Sequence, residues 1–317
     1  MPPDRQDSSP AAAQDADAPL DAAELFDAQF LGQLRSLFFK LRKRRQMKRA
    51  GQQATPTAGH TREFKDHRQY ALGDDYRAID WRLFARLERM FVRIFEEVQE
   101  FHVHVLIDTS RSMAEPFGQK RITALRLAVA LSYLALFNQH RVSLMSISDD
   151  VDRLLPPLKG QGHVHEVVRQ LAALHFEGAT NLVESLRRFR PSRDRRGIVF
   201  IISDLFGQAP HLSEDALRQA TSWPAETHVV HVVHPEEIRP NLEGEVQLID
   251  VETAETRRMW LTKRDMTRYT ESFEAFMASL RELCVRQQMN YVPWTTDQSF
   301  EDMFLALLSR GSALAGG

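Results

Sequence analysis

The sequence predicts an α/β fold: a doubly wound, mostly parallel sheet with helices on both faces, preceded by an N-terminal extension. Three observations carry this. Apolar strand-like runs recur at 102–107 (HVHVLI), 142–147 (VSLMSI), 198–202 (IVFII) and 228–233 (HVVHVV). Segments with helical periodicity separate them, over 121–138, 163–174, 180–190 and 213–221. The strand runs are almost continuously apolar rather than alternating, as parallel strands buried on both faces are.

Size and composition fit one such domain with additions. The 317 residues suffice for a sizeable core, and 43% hydrophobic with 26% charged residues is ordinary for a globular chain. Lys plus Arg number 41 against 43 Asp plus Glu, so a net charge of −2 argues against specific nucleic-acid binding. A lone cysteine, Cys284, excludes an internal disulfide and suits a reducing compartment. The N-terminus lacks the basic and apolar regions of a secretory signal, and no run of about eighteen apolar residues occurs, so a cytoplasmic location is expected.

Residues 1–20, rich in Ala, Asp, Pro and Ser, read as a disordered tail. An amphipathic helix follows from the N-cap Asp21 and opens the 21–59 segment. Its apolar positions are Leu25, Phe26, Phe30, Leu31, Leu34, Leu37, Phe38 and Leu41. It runs into RKRRQMKR, 42–49, where six of eight residues are basic. The plain reading is a solvated helix end; the sharper one is weak contact with an anionic membrane surface. A loop, GQQATPTAG, leads to residues 60–100, where short extended stretches alternate with charged turns. There Asp74, Asp75 and Asp80 are expected to pair with Arg77, Arg82 and Arg86.

The principal domain then spans 101–312. Its prolines mark DDVDRLLPPL, 149–158, as an edge ribbon. Met259 and Trp260 read as core residues after a turn. A helix over 265–288 presents Phe273, Phe276, Leu280 and Leu283 on one face, and YVPW and a last helix, 299–310, close the chain.

In an open α/β sheet the functional site lies beyond the carboxyl ends of the strands, where strand order reverses. Asp108 ends one predicted strand and is followed by Ser110 and Ser112 at alternate positions. Asp204 ends another, and Thr180 precedes a helix in EGATNL. Two carboxylates and three hydroxyls are hard oxygen donors suited to Mg²⁺, with Mn²⁺ or Ca²⁺ as alternatives. So few protein charges leave a coordination position open for an acidic side chain. The start of the helix after Ser112 is expected to add favourable potential for that anion.

This set resembles the metal-ion-dependent adhesion site of von Willebrand factor A domains: Asp-x-Ser-x-Ser, then Thr, then Asp. The resemblance implies that Asp108, Ser110 and Ser112 hold the metal directly or through water, with Thr180 and Asp204 completing the shell.

Catalysis is the weaker reading. The chain has neither G-x-S-x-G nor a phosphate loop, and no phosphatase-like pair of aspartates after the first strand. A Mg²⁺-dependent phosphoester hydrolase is the alternative kept. The histidines, among them His102, His104, His228, His231 and His234, have no zinc-site spacing. Neighbouring parallel strands could in principle bring His104 near His231, but buried, hydrogen-bonded histidines are the ordinary case.

A second resemblance covers roughly residues 60–310. Arg68, Tyr70, Gly73, Asp74 and Asp75, then Arg77, Ile79, Asp80 and Trp81, then Ala85 and Arg86, stand where a bacterial and archaeal family, domain of unknown function 58, carries its hallmark. LIDTSRSM, GATNL and YVPWTTDQSFEDMFLALLSR continue the likeness. Many members begin with two transmembrane helices, so this chain is similar to the soluble branch. The resemblance implies a von Willebrand factor A-like domain and, as partner, a MoxR-type AAA+ ATPase or its client. It assigns no chemistry to the 68–86 motif.

Overall fold

A computed structural model describes residues 26–27, 29–30, 32–34, 36–38, 62–97, 100–148, 150–179, 181–191, 197–206 and 210–310. Asp21, Leu25, Leu31, Leu41, the basic run 42–49 and Thr180 lie outside them.

After the N-terminal helical residues comes an antiparallel pair, β1 (Arg62–Gln69) and β2 (Phe91–Glu97), that brackets α1 (Trp81–Leu87). Next come β3 (His102–Asp108), α2 (Gln119–Phe137), β4 (Arg141–Ile147), β5 (Val151–Lys159), α3 (Val164–Ala172) and α4 (Leu182–Arg188). They are followed by β6 (Gly197–Ser203), α5 (Pro210–Ala220), β7 (Ala225–Val233), α6 (Pro235–Ile238) and the hairpin β8 (Gly244–Ile249) and β9 (Thr256–Leu261). Last are α7 (Lys263–Arg286), β10 (Asn290–Thr295) and α8 (Phe300–Arg310).

Six strands form the main sheet in the order β10-β7-β6-β3-β4-β5. All pairings are parallel except β4–β5, so β5 is the antiparallel edge where Pro156 and Pro157 are tolerated. Numbered within this sheet the order is 3-2-1-4-5-6, the doubly wound arrangement predicted, with its switch point between β3 and β6. β3 and β6 are buried along their whole length, which explains their unbroken apolar runs.

One face carries α2, α3 and α8, the other α4, α5 and α7. Helix α2 is apolar nearly all round because it is covered on both sides. Beneath it lies the sheet; above it pack Phe26, Phe30, Leu34, Leu37 and Phe38 of the N-terminal helical residues. Phe38 stacks on Tyr133 at 4.7 Å, and Phe30 meets Phe300 edge-on at 5.2 Å. Every described apolar position of the N-terminal helix is thus accounted for.

One expectation about residues in the sheets is corrected, and one contact open in principle is excluded. Met259 and Trp260 are 41% and 72% exposed, because β8 and β9 form a ribbon of their own outside the main sheet. His104 and His231 do not adjoin, because β6 runs between their strands. His104 is instead buried against His102 and Phe189, and both its ring nitrogens lack a hydrogen-bond partner among the described residues. Burial, with the charges of His102 and Arg153, pushes its pKa down to about 3. The unfolded chain takes up this proton near pH 6.5 and the folded one does not, so the stability His104 contributes is lost as pH falls below 6.5. The loss is about 2–3 kcal/mol by pH 4.5. His104→Leu is expected to remove that part of the acid slope, as read from urea unfolding at pH 7 and pH 4.5.

Candidate functional site at the switch point

The loops after β3 and β6 meet at the switch point and bring two carboxylates out of solvent. Asp108, the last residue of β3, is buried, and its Oδ1 accepts the Ser110 N–H at 3.0 Å. The Ser203 hydroxyl, from the end of β6, donates to Asp108 Oδ2. Ser203 in turn accepts the Leu205 N–H at 2.8 Å, so the β6 end is locked onto the β3 end. Asp204 is also buried; its Oδ1 accepts the Phe206 N–H at 3.1 Å. The Ser110 and Ser112 hydroxyls lie 3.0 Å apart on the turn that follows Asp108.

A third loop is fastened to this turn. Arg111 N–H donates to Gly178 O at 3.0 Å, and Glu177 N–H donates to Thr109 O at 2.9 Å. Gly178 has φ +76°, which a side chain would strain, so a glycine suits the clasp. The loop leads directly toward position 180. The structure therefore brings Asp108, Ser110, Ser112 and Asp204 together.

Beside these stands a cation that the sequence did not announce. Lys120, on the first turn of α2, is fully buried; its Nζ donates to Asp204 Oδ2 at 2.9 Å and to Glu237 Oε1. The ammonium also lies 5.5 Å from the Phe206 ring centre. Burial disfavours the Lys120 charge, but Asp204 and Glu237 override it and raise the pKa. Glu237 is raised by its burial, with Lys120 opposing, and its other oxygen accepts the His234 N–H at 2.8 Å.

The helix after Ser112, expected over 121–138, is present and starts two residues earlier. Residues Arg111–Met113 form only a 3-10 turn, and α2 begins at Gln119. Pro116 interrupts the intervening stretch and disfavours helix in the residue before it. Its first turn brings the Lys120 side chain to this edge.

Electrostatically the site is short of cations. Burial and the nearby Asp204 charge push the Asp108 carboxyl up to about 6. Glu252, from the turn between β8 and β9, is pushed up to about 7 by partial burial and by Asp204, Asp108 and Asp250. A cavity of about 310 Å³ opens here, lined by Ser112, Glu115, Phe206, Glu237 and Glu252 among others. Among the described residues no three His, Cys, Asp or Glu side chains are grouped to hold a metal. Any ion would therefore rely on the hydroxyls beside the two carboxylates. That donor set, all hard oxygen with surplus negative charge, fits Mg²⁺ or Mn²⁺ and does not fit a soft metal.

The hallmark segment is largely turn construction. Asp74 accepts from Arg68 Nη2 at 2.6 Å and from Ala71 N–H at 2.8 Å around Gly73, whose φ is +105°. Asp75 accepts the Arg77 N–H at 2.9 Å. Asp80 caps α1 by accepting the Arg82 and Leu83 N–H groups at 3.1 Å, and meets His67 Nε2 at 3.0 Å. Its further ion pair is with Arg93 at 3.9 Å. The acids do pair locally, but with Arg68, His67 and Arg93 rather than with the side chains of Arg77, Arg82 and Arg86. Leu72, Tyr76, Trp81 and Leu87 are left exposed.

Among the described residues no helix is long and apolar enough to cross a membrane. The uncharacterized proteins Rv1480 of Mycobacterium tuberculosis (strain ATCC 25618 / H37Rv) and Mb1516 of Mycobacterium bovis are each 26% identical to this chain over 199 residues. Those residues are 61% of this chain and 61% of each relative, so the likeness spans under two thirds of their length. Among solved structures, the conserved hypothetical protein BatB from Bacteroides thetaiotaomicron aligns with a TM-score of 0.38 at 14% identity, over 68% of this chain and 100% of that one. The von Willebrand factor type A from Catenulispora acidiphila aligns with 0.32 at 16%, over 45% of this chain and 35% of that one. The sequence match is the decisive one: residues 66–281, more than half of the chain, fit the family described as Protein of unknown function DUF58, and the chain belongs to that family.

Proposed function

We propose that this chain is a non-enzymatic protein-interaction module that binds an acidic side chain of a partner through a divalent metal, Mg²⁺ by preference. Asp108, Ser110 and Ser112 would hold the ion, with Asp204 and Thr180 completing the shell. The ion would supply the positive charge that a partner's Asp or Glu needs. The observation that carries this reading is the pair of buried carboxylates on adjacent strand ends with two serine hydroxyls turned to the same place.

Chemistry of the serines is disfavoured by their surroundings. Ser110 hydrogen-bonds Ser112, and the buried His231 is engaged with the Tyr291 hydroxyl at 2.6 Å, so among the described residues neither serine is hydrogen-bonded to a histidine. The rival Mg²⁺-dependent phosphoester hydrolase predicts turnover that Asp108→Ala abolishes; the module predicts no turnover to lose.

The family resemblance supplies the partner: a MoxR-type AAA+ ATPase or its client. The exposed Tyr76 and Trp81 beside Arg77, Arg82 and Arg86 support a macromolecular partner, since these residue types dominate binding hot spots. The test is recovery of partners from native lysate by wild type and Asp108→Ala, each with Mg²⁺ or EDTA. Retention of an AAA+ ATPase by wild type with Mg²⁺ alone is expected. Equal recovery under all four conditions would sink the reading.

A further inference from the structure

Helix α1 covers nothing. It spans Trp81–Leu87, and none of its residues is buried. A helix this short is ordinarily held in place by packing an apolar stripe. Here the stripe is left to solvent. Trp81, Phe84 and Leu87 are 59%, 38% and 53% exposed, and their three-residue spacing sets them in one ridge along the helix. Trp81 and Phe84 meet edge-on at 6.1 Å. Polar contacts fix the helix: Asp80 caps it, and the Asp80 N–H donates to Phe91 O at 2.8 Å. Among the described residues, neither apolar core cluster includes a side chain from 62–97.

A second ridge runs beside the first. Arg82 and Arg86 stand one helical turn apart, and Arg77, just before the helix, holds its guanidinium 5.8 Å from the centre of the exposed Tyr76 ring. Two of the nearby acids are already engaged, Asp74 with Arg68 and Asp80 with His67 and Arg93. Among the described residues Arg77, Arg82 and Arg86 form no ion pair. A solvated face would keep the arginines and do without the ridge, and a packed face would keep the ridge and do without the arginines. The two together suit a surface that is covered by something acidic.

We infer that α1 and the turn before it form a second docking surface, independent of the metal site, for a protein segment carrying Asp or Glu among large apolar side chains. Its acids would meet Arg77, Arg82 and Arg86, and its apolar side chains the ridge of Trp81, Phe84 and Leu87. A nucleic acid fits less well. Asp74, Asp75 and Asp80 stand among the arginines and would repel its phosphates, Phe84 and Leu87 offer base edges no hydrogen bond, and the net charge of −2 gives no general attraction. The hallmark motif then acquires a division of labour: Arg68, Asp74 and Asp80 build the turn that presents the other residues.

The test is selection of a random peptide library displayed on phage against the full chain in EDTA, which keeps the metal site out of the result. Peptides recovered by wild type are then titrated by fluorescence anisotropy into wild type, Trp81→Ala, and the double variant Arg82→Gln with Arg86→Gln. Both variants change exposed side chains, and thermal unfolding checks that they fold as wild type does. The recovered peptides are expected to interleave Asp or Glu with Leu, Phe or Trp, and to bind each variant at least about tenfold more weakly. Recovery of peptides without acids, equal binding to the variants, or no enrichment would each overturn the inference. So would binding of a single-stranded oligonucleotide, or self-association in sedimentation, that the double variant loses. The surface would then belong to nucleic acid or to a second copy of the chain.

Discussion

Lys120→Met is expected to cost the metal-free chain about 3–5 kcal/mol, the largest effect of any single substitution at the site. Methionine fills nearly the same volume as the lysine stem, so packing is preserved and the loss reports charge. What remains is Asp204, fully buried, and Glu237, mostly buried, without the ammonium that joins them. Leaving a buried carboxylate uncompensated is far more costly than the net value of the pair it came from. The pH dependence identifies the cause. Once the cation is gone, nothing opposes the burial that raises the Glu237 carboxyl, so it favours protonation in the fold more than in the unfolded chain and stability rises as pH falls. The deficit seen at pH 7.5 is therefore expected to shrink toward pH 5, measured by urea unfolding in EDTA. A pH-independent deficit would assign the loss to packing instead.

Lys120 also shows what the sequence concealed. The strands were legible because buried parallel strands are apolar without interruption, and β5 was legible as an edge from Pro156 and Pro157. Asp108, Ser110, Ser112 and Asp204 were legible because strand ends in this topology converge, so local spacing was enough to nominate them. Lys120, Ser203, Glu237 and Glu252 carry no local signal. Lys120 stands in a helix start that reads like any charged first turn, and its partner Glu237 is 117 residues away. Only the strand order puts them in one place.

The errors have similar causes. Met259 and Trp260 were expected in the core because an apolar pair beside a turn usually packs; here it belongs to a ribbon outside both core clusters. The acids of the 68–86 motif were matched to arginines close in sequence. The antiparallel pairing of β1 with β2 instead brings His67 and Arg93 opposite one another and beside Asp80.

Asp108→Asn is expected to move stability in the opposite direction from Lys120→Met. The Asp108 carboxyl, at about 6, lies above its unfolded value of 3.8 because of burial and the neighbouring Asp204. The folded chain therefore holds this proton more tightly than the unfolded one. Stability is greatest below pH 3.8, falls as pH rises from there through 6, and levels off above. The full difference is about 3 kcal/mol. Asparagine is neutral at every pH and keeps an oxygen for the Ser110 N–H. The metal-free variant should thus be more stable than wild type by about 1–3 kcal/mol at pH 8 and nearly equal to it at pH 4. Added Mg²⁺ should stabilise wild type and leave the variant unmoved, which thermal unfolding with and without EDTA would show. Wild type would then hold a charge that costs it stability whenever the ion is absent. A fold has no use for such a residue except to bind, so a gain in apo stability joined to loss of the metal response would mark Asp108 as kept for the ligand. A loss of apo stability at pH 8 would show that the two carboxylates are balanced within the protein, leaving no surplus charge for a divalent ion to answer.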